Sequence, residues 1–263
     1  VRPRCALLAA VTLGALGCAT ASPVLAPARV LREGRVVLDV GSAWSAPVWA
    51  PSLSSAQSSS AEVDTVLQAA VTHGATPPGV VSYVSGRGGI GGRAEGNIAL
   101  IGRLVRIGAR RELWSRENMT LTAGLAGRFA FLGGSYAGAS PGLTVNNSRL
   151  YGGDLSLLFG VTRRDVYDLW VGARAGYLYN DLGLALVPTS AMPDGRAYDL
   201  TAHRFEASLN VGIRVAFGRF GAAVELDAVF AHALGDATWT GGITHQSAST
   251  LSLIPAGALS YQF

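Results

Sequence analysis

Long alternation of apolar and polar residues constrains this chain more than any other feature. Between His203 and Phe217 the odd positions read His, Phe, Ala, Leu, Val, Ile, Val, Phe, and the even positions read Arg, Glu, Ser, Asn, Gly, Arg, Ala. A period of two over fifteen residues puts one apolar face and one polar face on a single extended strand. Helical packing cannot reconcile that spacing. The pattern recurs. Phe220 to Ala231 carries Ala222, Val224, Leu226, Ala228 and Phe230 opposite Glu225 and Asp227. Tyr167 to Asn180 carries Leu169, Val171, Ala173, Tyr177 and Tyr179 opposite Asp168 and Arg174.

Further strands are read at Arg149 to Val161, Met119 to Phe131, Leu104 to Leu113, Ala94 to Ile101, Val80 to Ile90 and Arg35 to Ser45, with a terminal strand ending at Phe263. The total is about ten, with eight or twelve as alternatives. Short turns fall at Gly91 to Arg93, Trp114 to Asn118, Thr162 to Val166 and Gly218-Arg219. Long connections are expected near 47–79, 132–148, 181–202 and 232–248. Gly102-Arg103 is a tight link where that rhythm predicts a long one. Within the first connection, Val63, Val66, Leu67 and Ala70 fit the spacing of a short helix.

Only 14% of the residues are charged, and no run of about 20 apolar residues exists to form a membrane-spanning helix. The mean hydropathy is nevertheless +0.32. Apolarity spread over many strands of about ten residues suits a membrane-spanning barrel. All 21 basic residues are arginine and they are scattered, which argues against a nucleic-acid partner.

The chain ends Leu259-Ser260-Tyr261-Gln262-Phe263, with Phe last, Tyr two before it and Leu two before that. Leu259, Tyr261 and Phe263 resemble the C-terminal assembly signal of bacterial outer-membrane β-barrel proteins. The resemblance covers roughly residues 35 to 263. It implies an all-β, antiparallel up-and-down transmembrane barrel in the outer membrane of a Gram-negative cell. The implied partners are outer-membrane lipid and the barrel-assembly machinery. Short periplasmic turns and longer extracellular loops follow from the same resemblance.

Arg2 and Arg4 precede the apolar stretch Ala6 to Gly17, as in an export signal over 1–21. Ala15-Leu16-Gly17-Cys18 resembles a lipobox, which would make Cys18 a lipidated first residue. Ala19-Thr20-Ala21 is the competing site of ordinary cleavage. Residues 22–34 are read as a periplasmic linker. Cys5 and Cys18 are the only cysteines, so the body of the chain has no disulfide.

Strand parity assigns an interior charge network. Its bases are Arg87, Arg106, Arg110, Arg128, Arg174, Arg204 and Arg214. Its acids are Asp39, Glu95, Glu112, Asp154, Glu206, Glu225 and Asp227. Balanced signs favour mutual pairing across a narrow lumen, where an unpaired charge is costly. Arg214 and Glu225, on adjacent strands, are expected to act as mates. Neither a GxSxG elbow nor an HExxH pair occurs, and no cofactor, metal site or enzymatic activity is expected. The expected role is structural or surface-interacting with a largely closed lumen. A narrow channel for small solutes is the alternative, and a loop-borne enzyme the third.

Overall fold

The computed structural model describes residues 23–49, 67, 70–71, 79–137, 143–164, 166–186 and 196–263. The export segment 1–21, with Cys18, lies outside the described residues.

Ten strands follow one another along the chain: β1 (Val36–Trp49), β2 (Gly79–Gly91), β3 (Ala94–Ile101), β4 (Leu104–Arg116), β5 (Met119–Ala137), β6 (Leu143–Arg163), β7 (Tyr167–Leu186), β8 (Arg196–Phe217), β9 (Phe220–Trp239) and β10 (Gly242–Gln262). Each pairs antiparallel with its sequence neighbours, and β10 returns to β1 to close a barrel. Closure runs through the terminal residues: Leu38 faces Tyr261, Val40 faces Leu259, and the Phe263 amide donates to the Val36 carbonyl at 2.9 Å. A closed barrel leaves no strand edge unpaired.

The ends of the barrel differ. At the lower end lie both ends of the ring, at Val36 and Gln262, and the short links at 92–93, 117–118, 164–166 and 218–219. Gly92 and Arg93 both have positive φ, 59° and 60°, as a two-residue hairpin with right-handed strand twist requires. The other five connections lie at the upper end, and the one at Gly102-Arg103 is tight as read from the sequence.

Side chains alternate in and out as the parity requires. From Tyr167 to Tyr177 on β7, Phe205 to Val215 on β8 and Phe220 to Phe230 on β9, the outward residues are all aliphatic or aromatic. Two aromatic groups bound this belt. Below, Phe220, Tyr261 and Phe263 stack in series at 5.1 and 4.8 Å between ring centres. Above, Tyr151 stacks on Tyr179 at 4.8 Å and Tyr177 on Phe205 at 5.3 Å. Tyr167 and Tyr177 are separated by about 33 Å of strand, which at a typical ~40° tilt is about 25 Å of height.

The longer strands run further upward than their sequence patterns indicate, while β4 extends downward to Arg116. The connection expected near 232–248 is not a loop. β9 and β10 run through it and turn at Thr240-Gly241. Those expected near 132–148 and 181–202 shrink likewise, because β5 reaches Ala137, β6 begins at Leu143, β7 reaches Leu186 and β8 begins at Arg196. The cause is a reversal of chemical sense without any change of parity. On β8 the even residues face inward throughout. They are Arg204, Glu206, Ser208 and Asn210 in the lower part but Tyr198, Leu200 and Ala202 above. Outside, Phe205, Leu209 and Val211 give way to Asp199, Thr201 and His203. The upper barrel is therefore apolar inside and polar outside, like a protein in water, while the lower barrel is the converse.

Candidate functional site

The lumen of the lower barrel is the candidate site, and parity brings nearly all the expected charges into it. Asp154, on β6, is the hub of one group. It takes Arg106 from β4 in a two-point contact, at 2.7 Å from Nη2 and 3.2 Å from Nε, and lies 3.4 Å from Arg128 of β5. Arg128 spans onward to Glu206 of β8 at 2.7 Å, and Glu206 lies 3.0 Å from Arg204. A second group centres on Glu95 of β3. Arg110 donates to it at 2.6 Å and Arg87 lies at 3.8 Å, while Arg87 also reaches Asp39 at 3.2 Å. Tyr83 donates to Ser85 and Ser85 to Asp39, which completes that chain of bonds. Arg174 lies 3.9 Å from Asp227.

Three placements depart from the sequence reading. Glu112 stands at the lower rim rather than in the network. It pairs at 3.8 Å with the exposed Arg93, because it lies beside the β2–β3 turn, where its amide donates to the Arg93 carbonyl at 2.9 Å. Arg214 pairs with Asp168 of β7 at 3.4 Å, not with Glu225. In the β8–β9 register Arg214 stands opposite Ala223 while Glu225 stands opposite Gly212, so the two charges are offset along the wall. Asp168, left out of the charge count, is buried and also accepts from Thr162 at 2.7 Å.

The third departure is the largest. The sequence suggests a periplasmic linker over 22–34, but the described part from Pro23 onward enters the barrel. Leu25, Ala26 and Ala28 are buried there. Glu225 holds the far end of this segment. Its carboxylate accepts from the Val24 amide at 2.7 Å, the Leu25 amide at 3.1 Å, the Trp170 indole at 2.8 Å and the Asn210 amide at 3.2 Å. Nearer the rim, Thr122 donates to the Ala28 carbonyl and the Leu31 amide donates to Glu95 at 2.8 Å. Gly160 leaves the room: a Cβ there would lie 2.7 Å from the Ala28 Cβ. Residues 34–35 then bond to Gly89 of β2 before β1 begins. Thus Glu95 binds backbone as well as arginine, and Glu225 binds backbone, an indole and a side-chain amide, a use no count of side-chain charges reveals. The apolar Val24-Leu25-Ala26-Pro27-Ala28 beside a charged wall was the signal available in the sequence.

The upper lumen is filled separately. Leu67, Ala70 and Val71, helical residues of the β1–β2 connection, are buried against Val145, Leu182, Leu184, Tyr198, Leu200, Ala233 and Ala237. Gly235 admits them, since a Cβ there would lie 2.6 Å from Val71 Cγ2. The described histidines of this end face outward. His245 pairs with Asp236 at 2.6 Å and His232 with Ser249 at 2.8 Å, each across the β9–β10 ladder.

The chain is similar to a number of solved structures, three of which follow. The toluene transporter TbuX of Ralstonia pickettii is 13% identical, with 95% of each chain covered and a TM-score of 0.36. Neisserial surface protein A is 12% identical over 87% of this chain and 96% of that one, with a TM-score of 0.29. The outer membrane protease OmpT of Escherichia coli is 9% identical over 90% of this chain and 100% of that one, with a TM-score of 0.41. No protein-family model matches the sequence, and no curated protein does.

Proposed function

We propose that this chain is an integral outer-membrane barrel with a closed lumen, whose upper strands project into water and serve a structural or surface-interaction role. The observation that carries the closed lumen is its double filling. Segment 23–31 occupies the lower half, and Leu67, Ala70 and Val71 of the first connection reach into the upper half. A gap lined by Val24, Ala26, Tyr83 and Arg106 measures about 20 Å³, room for a single water and not for a solute. The belt of outward aliphatic residues between two aromatic groups supports the membrane location. Export through a cleaved leader, with Cys18 lipidated or cleavage after Ala21, belongs to the same reading and rests on the sequence.

Planar-bilayer recording tests closure. The purified protein should give no steady single-channel steps, and reproducible ion-selective steps from it would replace this reading with that of a narrow channel. One observation favours that second reading: the lower filling is a strap that lies outside the strand ladders and joins the wall backbone near Gly89, so it can leave without opening a strand pair. Location is tested by deleting Phe263, which caps the closing strand. The deletion should lower outer-membrane yield and abolish heat-modifiable gel mobility.

A further inference from the structure

An open chamber lies at the lower mouth of the filled lumen, between the strap and the wall. It measures about 270 Å³. Five arginines line it from three parts of the chain: Arg29, Arg32 and Arg35 on the strap, Arg87 on β2 and Arg214 on β8. Asp168 is the one carboxylate among its described lining residues. Arg87 and Arg214 are already paired, with Asp39 and Asp168. Even so, two of their buried donors, Arg87 Nη2 and Arg214 Nε, have no hydrogen-bond partner. A buried donor without an acceptor is destabilising, and an excess of cations around one cavity adds repulsion. An oxyanion in the chamber would offset that repulsion and bring acceptor oxygens beside these arginines.

We propose that this mouth chamber is a binding site for a phosphoryl oxyanion carrying at least two negative charges. Guanidinium groups present planar pairs of donors that match the oxygens of phosphate, and five of them converge here around one lining carboxylate. Halides lack that geometry. A ligand in this position touches strap and wall together, so its binding fastens the strap in the lumen. The strap's lower part contributes three of the five arginines, which makes the site a property of the filled barrel and not of the barrel wall alone. Two sources supply this chemistry: a free phosphate or pyrophosphate species in the periplasm, and the phosphate headgroup of a lipid at the inner leaflet.

The test is calorimetric titration of inorganic pyrophosphate into the full-length barrel at low ionic strength, with chloride as the control anion. It is run in zwitterionic detergent, in phosphatidylcholine nanodiscs and in phosphatidylglycerol nanodiscs. Saturable binding near one equivalent is expected in detergent and in phosphatidylcholine. The double variant Arg32→Gln/Arg35→Gln changes two exposed side chains and should fold, as heat-modifiable mobility will report. Loss of two charge-assisted contacts should weaken binding about tenfold or more. Suppression of pyrophosphate binding only in phosphatidylglycerol identifies a lipid headgroup as the ligand, and equal binding in both nanodiscs identifies a free solute. Trypsin cleavage of the strap should slow when pyrophosphate is bound. Absence of saturable binding in detergent and phosphatidylcholine, or unchanged affinity in the folded double variant, overturns the proposal.

Discussion

The lower and upper halves of this barrel solve one packing problem with opposite chemistry. Both lumens are filled by chain that is not strand. In the lower half the filling is a strap held through its backbone amides by Glu225 and Glu95, within a wall of arginines and acids. In the upper half it is a helical piece held by apolar contact with Leu182, Leu184, Tyr198 and Leu200. The difference follows from what lies outside. Where the outer face is aliphatic, the polar residues of an alternating strand have only the interior to occupy, and there they must find partners. Where the outer face is polar, the same alternation delivers an apolar interior. The switch occurs within single strands, between Ala202 and Arg204 on the inner face of β8.

The largest separation between the halves is expected from removing a charge below. Arg128→Ala leaves Asp154 and Glu206 short of a shared partner in a buried setting, at a cost of about 3–5 kcal/mol. Urea unfolding in lipid vesicles measures it, and a loss below about 1 kcal/mol would mean that the lower lumen is hydrated rather than paired.

The matching change above is Leu200→Ala, which removes apolar volume and no charge. It should cost about 2–5 kcal/mol and be indifferent to salt. If Leu200→Ala is silent, the helical filling is not part of the folded core.

A third pair of variants reads the outer face of one strand. Val211→Arg sits in the aliphatic belt and should cost about 2–4 kcal/mol in bilayers, whereas Thr201→Arg, at the same parity above it, should stay within about 0.5 kcal/mol. Equal costs would place the water boundary elsewhere on β8.

The smallest of these effects is local. Glu225→Gln keeps an acceptor but turns part of the carboxylate into a donor facing the Val24 and Leu25 amides. The barrel should lose about 1–3 kcal/mol, and trypsin should cleave the strap after Arg29 faster than in the wild type. Unchanged cleavage would show that apolar burial of Leu25 and Ala28, rather than Glu225, retains the strap.

Local periodicity in the sequence determined much of this protein. Alternation from His203 to Phe217 specified a two-faced strand, and the same signal elsewhere pointed to about ten strands, the short lower turns, the tight Gly102-Arg103 link and the inward parity of Arg106, Arg128, Asp154 and Glu206. A period of two is set by the pleat and needs no distant partner to be read. The tertiary structure alone decided three things. It decided how far the strands run upward, because residues such as Leu182, Leu184, Tyr198 and Leu200 point inward only once a closed barrel surrounds an interior. It decided which charges meet, because Arg214 pairs with Asp168 through inter-strand register, which parity does not encode. And it decided that residues 23–31 lie within the barrel, because a short apolar segment has no period of its own, and only a lumen lined by Glu225, Thr122 and Glu95 gives its buried amides and carbonyls somewhere to bond.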